Sequence, residues 1–279
     1  MQWIEILKAV LFGIVEGITE WLPISSTGHM ILVDEFIKLN VSPAFWEMFL
    51  VVIQLGAILA VVFLYWERLF PFSFRGGFRA DREKFSMWFK IVVASIPAGV
   101  VGILFEDICN ELFYNYVTVA IMLILFGILF LAIENGRRDR RPQVRAISGI
   151  TYRSAFIIGV FQMIAAVFPG TSRSGATIVG ALLIGISRTT AAEFTFFLAI
   201  PAMFGGSALK LLKFGFHFTP EELIILLTGM LVAFFISIFA IRFLVGYIQK
   251  HNFKAFGWYR ILLGLLVLAY FFFSGRTVG

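Results

Sequence analysis

Six stretches of about 20 mostly apolar residues, each long enough to cross a bilayer, constrain this chain more than any other feature. They cover residues 44–66, 86–105, 112–133, 191–212, 223–244 and 256–273. Only 14% of the 279 side chains are charged and 60% are hydrophobic, whereas a soluble domain carries about 25% charged residues. The chain lacks the polar side chains to cover a water-facing surface. The expected class is therefore an all-α polytopic membrane protein with the lipid bilayer as its first partner. The 34 Phe and 6 Trp suit hydrocarbon and its interfaces. Pro97 and Pro201 fall inside two of the spans and are expected to kink them, which neighbouring helices tolerate in a membrane.

Two further apolar regions are broken. In the first, residues 3–22 are followed by Pro23-Ile24-Ser25-Ser26-Thr27-Gly28 and a short run from His29 to Val33. In the second, residues 155–168 are followed by Pro169-Gly170-Thr171-Ser172-Arg173-Ser174-Gly175 and then residues 176–186. Both second arms and the first arm of the second region are too short to cross, although residues 3–22 are long enough alone, and non-helical backbone at membrane depth needs protein or a wet cavity around it. Both regions read as re-entrant helix–turn–helix hairpins, over 3–38 and 155–186.

The two halves repeat. Pairing residue n with n+146 sets Gly13 on Gly159, Glu16 on Gln162, Pro23 on Pro169, Ser26 on Ser172 and Glu47 on Glu193. The expected organisation is a single membrane domain, 1–279, built from a first repeat at 1–133 and a second at 134–279. Each repeat holds one hairpin and three spans. Three crossings is an odd number, so the second half is inverted relative to the first, as in many transporters. The hairpins then enter from opposite faces and meet near the midplane.

The net charge is +6. The basic residues cluster in two loops, with Arg68, Arg75, Arg79, Arg82, Lys84 and Lys90 in one and Arg137, Arg138, Arg140, Arg141, Arg145 and Arg153 in the other. Arg188, Arg242, Lys250, Lys254 and Arg260 fall on the same side, against Lys8, Lys38, Lys210, Lys213 and Arg276 on the opposite one. This is a topology signal and an attraction to anionic lipid, and it gives no nucleic-acid surface. The positive side is expected to be cytoplasmic. Both termini and the mouth of the first hairpin then face outward. The single cysteine, Cys109, rules out an internal disulfide and suggests no thiol metal site. Residues 1–7 hold an acid and no basic stretch, so the first apolar segment is expected to remain in the mature protein.

Glu16 and Glu20 lie four apart on one helix and project from one face. Ionisable groups at membrane depth are costly and usually functional. The pair can hold a hard divalent cation together with a substrate phosphate. Alternatively, crowding keeps a proton on one carboxyl and makes it a general acid or base. After Pro23, a Ser or Thr caps the second arm and leaves free N–H groups at a positive dipole end, which binds anions. His29, a short turn further on, can activate a serine or protonate a leaving group. His217 and His251 lie in loops and read as surface residues. The second tip offers glycines, hydroxyls and Arg173, whose planar fork matches phosphate oxygens. The partner of Arg173 is expected to be a ligand anion or the glutamates of the other hairpin. Glu47, Gln54 and Glu193 lie inside spans and read as supporting groups.

Glu16-Gly-Ile-Thr-Glu20-Trp-Leu-Pro-Ile-Ser-Ser-Thr-Gly-His29 and Pro169-Gly-Thr-Ser-Arg-Ser-Gly-Ala-Thr177 resemble the two signatures of bacterial undecaprenyl-diphosphate phosphatases, also called bacitracin-resistance proteins. The hydropathy layout is similar over nearly the whole chain. The resemblance implies a plasma-membrane enzyme that hydrolyses a C55 polyprenyl diphosphate to the monophosphate. It also implies a divalent cation, Mg²⁺ or Ca²⁺. Carried over by residue, it makes Glu16 and Glu20 the acidic motif that holds the metal, with Glu20, Ser26 and His29 catalytic. Arg173 becomes the phosphate clamp, and Ser172, Ser174 and Thr177 complete the phosphate cradle. The residues leave open whether Ser26 or a water beside the cation attacks phosphorus. They also leave open a homodimer, and an inverted-repeat transporter or lipid flippase that uses the same cavity.

Overall fold

A computed structural model describes residues 3–73, 79–136 and 141–274. Arg75, Arg137, Arg138, Arg140 and Arg276 of the charge pattern lie outside the described residues. Six helices are long and apolar enough to cross a membrane: α3 (Pro43–Leu64), α5 (Arg82–Leu104), α7 (Tyr116–Gly136), α10 (Arg188–Phe214), α11 (Pro220–Lys250) and α12 (Lys254–Ser274). They coincide with the six apolar stretches, and the chain is an all-α polytopic membrane protein. Both broken regions are helical hairpins. The first is α1 (Trp3–Thr19) followed by α2 (Ser26–Phe36), and the second is α8 (Tyr152–Val167) followed by α9 (Arg173–Leu183). At about 1.5 Å per residue, neither α1 nor α8 reaches the roughly 30 Å of a bilayer core.

Local chemistry sets the helix boundaries. Ser42, Ser187 and Thr219 cap α3, α10 and α11, each accepting a hydrogen bond from the N–H three residues on. Pro43 and Pro220 occupy first-turn positions, where a missing N–H costs nothing. The structure departs from the sequence reading in two connectors. The third apolar stretch, expected from residue 112, is split at Tyr114–Asn115. A separate short helix, α6 (Glu106–Phe113), precedes the span. The loop after α3 holds the one-turn helix α4 (Trp66–Leu69) and a two-stranded ribbon, β1 (Phe72–Ser73) against β2 (Arg79–Ala80).

α1 packs on α11, α8 on α5, α7 on α12, and α3 lies against both α10 and α11. A Cβ on Gly159 would stand 2.3 Å from Ala94 O, and one on Gly13 would stand 2.7 Å from Gly229 O. Each hairpin arm therefore touches a span backbone to backbone, and small residues at such points allow tight packing without a hydrophobic drive from lipid. Aromatic side chains such as Trp21, Phe49, Phe130 and Phe196 fill the interior, while Phe63, Ile103, Leu212, Phe239 and Phe272 are exposed on the outer faces of the helices.

Polar contacts gather the helix ends into two sets. Glu134, at the end of α7, pairs with Arg188 at the start of α10 and accepts from Phe253 N just before α12. Arg68 pairs with Glu193, and Lys90 donates to Ser148 O. These contacts bring α4, residues 141–151 and residues 251–253 to one end. At the other end, Glu106 takes Lys210 and Lys213.

Candidate active site

The two hairpin tips share one unusual local geometry. Among the described residues, Ser25 and Ser172 are the non-glycine residues with left-handed φ, at 75° and 68°. Such conformations cost about 1–3 kcal/mol each and concentrate at functional sites. Each serine is an N-cap: Ser25 Oγ accepts from Gly28 N at 3.3 Å, and Ser172 Oγ accepts from Gly175 N at 3.1 Å. The equivalent caps are thus Ser25 and Ser172, one residue out of the 146-residue register that paired Ser26 with Ser172. The second tip is one residue longer, and by cap position Ser26 corresponds to Arg173.

These two cap-plus-one residues meet on a single carboxylate. Ser26 Oγ donates to Glu20 Oε2 at 2.6 Å, and Arg173 Nη2 donates to Glu20 Oε1 at 2.9 Å. Arg173 Nη1 also donates to Thr195 O in α10 at 3.2 Å. Ser174 Oγ reaches across to Glu20 O at 3.1 Å and lies 3.1 Å from Ser172 Oγ. Residues about 150 positions apart are thereby closed into one cluster, and Glu20 is only 7% exposed within it. Of the two partners expected for Arg173, the glutamate of the other hairpin is the one seen.

The remaining candidates divide. Glu16 lies one turn before Glu20, 1% exposed, and its Oε1 has no hydrogen-bond partner among the described residues. Gln162, its counterpart in the second half, is also buried with an unpartnered Oε1. Thr177 is buried, and its hydroxyl bonds Arg173 O at 2.9 Å and Thr195 Oγ1 at 2.8 Å, which ties α9 to α10. His29 faces away from Ser26. Its Nδ1 donates to Ser25 O at 2.7 Å, so the neutral ring presents Nε2 as an acceptor for Tyr259 Oη at 2.6 Å. The carboxylate of Glu20, not the imidazole, is therefore the group that can take a proton from Ser26. Of the supporting acids, Glu193 pairs with Arg68, and Glu47 is exposed near the start of α3.

Three participants were missed in the sequence. Thr195 supplies the second acceptor of Arg173, Tyr259 engages His29, and Arg260 is buried against both tips. The charge pattern places Arg260 with the cytoplasmic cations, yet it is 0% exposed and sits inside the protein. Its place within an apolar span was the available signal, since intramembrane charge is functional by default.

A divalent cation fits the residues present. Glu16 offers a buried oxygen without a partner, and the adjacent donors are hard carboxylate oxygens. Among the described residues no group of three or more Asp, Glu, His or Cys side chains is gathered for a metal. The cation would then be held by Glu16 and Glu20, with phosphate oxygens completing its coordination, as is usual for Mg²⁺.

The chain is similar to known proteins over nearly its whole length. The family model described as "Bacitracin resistance protein BacA" matches residues 9–266. A protein of Desulfitobacterium hafniense named undecaprenyl-diphosphatase is 69% identical over 278 residues, covering 100% of this chain and 99% of its own length. Undecaprenyl-diphosphatase 1 of Clostridium acetobutylicum is 66% identical over 97% of this chain and 99% of its own. An undecaprenyl-diphosphatase of Enterococcus faecalis is 59% identical over 96% and 98%. With a matched core that contains both strained tips and the carboxylate they share, the chain belongs to the bacitracin resistance protein BacA family.

Proposed function

We propose that this protein hydrolyses undecaprenyl diphosphate to the monophosphate and inorganic phosphate at the junction of its two hairpin tips. The product is the carrier lipid of peptidoglycan synthesis, and its recycling confers bacitracin resistance. One observation carries this reading: Ser26 and Arg173, each one residue past a strained serine cap, converge on the two oxygens of Glu20. The names of the relatives support the substrate.

Hydrolysis breaks the bond between the terminal phosphorus and the bridging oxygen, and the electron pair leaves with the lipid monophosphate. The attacking oxygen, from Ser26 or from a water in its place, gives its proton to Glu20, which already accepts from Ser26; on the Ser26 route a water then displaces Ser26 Oγ from the phosphoryl group and releases inorganic phosphate. Arg173 uses two of its five N–H groups on Glu20 and Thr195 and turns others to the phosphate oxygens. The first-turn amides of α2 and α9 add donors at two positive helix ends, with Ser172 and Ser174 beside them. Thr177 shapes this cradle through α9. To protonate the leaving oxygen, His29 must first take up a second proton at Nε2, the atom that accepts from Tyr259 Oη in the neutral ring. Glu16 and Glu20 would hold Mg²⁺ or Ca²⁺, which when bound would supply neutralising charge to the diphosphate.

The fold behind this site is an inverted repeat, 1–133 against 134–279. Three contacts support it. The first arm α1 packs on α11 of the second half, and α8 packs on α5 of the first. α1 runs parallel to α11, Gly13 facing Gly229 and Gly17 facing Ala233. α7 and α12 run antiparallel with reciprocal contact of Gly127 and Gly257, as expected at a two-fold axis in the membrane plane. The cation-rich end is cytoplasmic by the positive-inside rule. Both termini lie outside, and the site opens to the outer face of the bacterial inner membrane.

One experiment tests both parts. Purified protein with undecaprenyl diphosphate should release one phosphate per lipid, and sealed right-side-out vesicles should release it to the exterior. Binding or movement of the lipid without phosphate release would instead favour a carrier. Release only into the lumen would invert the topology.

A further inference from the structure

The guanidinium of Arg260, fully buried in α12, has no carboxylate partner among the described residues. It is met instead by backbone carbonyls from three elements. Nη1 donates to Pro23 O at 3.2 Å, in the first tip. Nη2 donates to Gly170 O at 3.0 Å and Thr171 O at 2.7 Å, in the second tip, and to Met122 O of α7 at 3.4 Å. Nε donates to Leu123 O of α7 at 3.5 Å. The tip carbonyls lie in the turns that follow α1 and α8. One side chain thus ties both turns to each other and to α7.

A Cβ on Gly175, in the first turn of α9, would come within 2.9 Å of Nη1, so the helix start that follows Arg173 rests directly on this charge. Stranding an arginine away from water is expensive unless its donors are satisfied. Only the planar five-donor fork can satisfy these acceptors at once; a lysine presents three donors from one point.

We propose that Arg260 is a positioning residue for the hydrolysis. It fixes the two tips against each other so that Ser26 and Arg173 reach the same carboxylate, and it holds positive charge behind the anion without touching it. This rests on the two-hairpin site proposed above. The test is R260K, with kcat and KM measured per folded protein beside thermal stability. A displacement of the order of 1 Å in a positioned group costs about 10²-fold in rate. R260K is expected to lose about that much in kcat, with KM changed less than about fivefold. A lower Tm with kcat of the folded fraction unchanged would make Arg260 a structural residue only and overturn the proposal. If R260K does not fold, R260Q, which drops the buried charge and keeps an amide donor, is judged by the same criterion. R173A, run in parallel, separates the two readings. Normal turnover by R173A would remove the two-hairpin site itself, whereas normal R260K beside impaired R173A would remove only the positioning role.

Discussion

Arg173→Ala is expected to lower turnover by about 10²-fold or more, by analogy with removing one donor that stabilises charge in a transition state. Arg173→Lys should remain badly impaired, because it keeps the charge and loses the fork that can serve Glu20, Thr195 O and phosphate together. The structure adds a second consequence. Arg173 pairs with Glu20 at 2.9 Å, with both side chains largely buried. Removing one partner of such a pair strands the other, at a cost of about 3 kcal/mol or more. Arg173→Ala should therefore also melt earlier. Activity must be read per folded protein, and melting measured with and without a non-hydrolysable diphosphate analogue. The functional reading expects the folded variant to be inactive and to lose the stabilisation that the analogue gives the wild type. A variant that melts early but turns over normally when folded would leave Arg173 as a structural tie between the hairpins.

The second large effect concerns the cation. Excess chelator is expected to abolish turnover, and Mg²⁺ or Ca²⁺ to restore it. Both oxygens of Glu20 accept hydrogen bonds, from Ser26 and Arg173, whereas Glu16 Oε1 has no hydrogen-bond partner among the described residues and is open to a cation. Glu16→Gln keeps the shape and removes the charge. It should shift the cation concentration for half-maximal activity upward by about tenfold or more, a loss of roughly 1.4 kcal/mol or more in cation affinity. Glu20→Gln should lower the rate at saturating cation as well, because it also removes the proton acceptor of Ser26. Full activity in excess chelator would take the cation out of the mechanism.

The membrane architecture was legible in the sequence because it follows from local composition: length and hydropathy locate a span without knowledge of its neighbours. The hairpins were equally legible, since Pro23 and Pro169 end an apolar arm and serines restart a helix. What stayed hidden depended on distant contacts. Tyr259 and Arg260 touch the tips across 230 and 237 residues of chain, and no local spacing encodes that. The hydrogen-bond partner of Ser26 was not legible for a similar reason. His29 is close in sequence, but its Nδ1 satisfies the carbonyl four residues back, and that turns the ring toward α12. The one-residue slip in the repeat also needed backbone geometry, because Ser25 and Ser26 are indistinguishable as letters and only one has left-handed φ. The end of α6 runs into the third apolar stretch because Leu112 and Phe113 are apolar, although the chain breaks between α6 and α7 at Tyr114.

The central claim is that the two tips form one catalytic unit, and a double-mutant cycle between Ser26→Ala and Arg173→Lys measures this most directly. Residues that act as a unit are strongly non-additive in their effects on kcat. If the account is right, the double variant should be within about threefold of the weaker single variant. If the two logarithmic losses add in full, Ser26 and Arg173 act independently, and the shared two-hairpin site is contradicted.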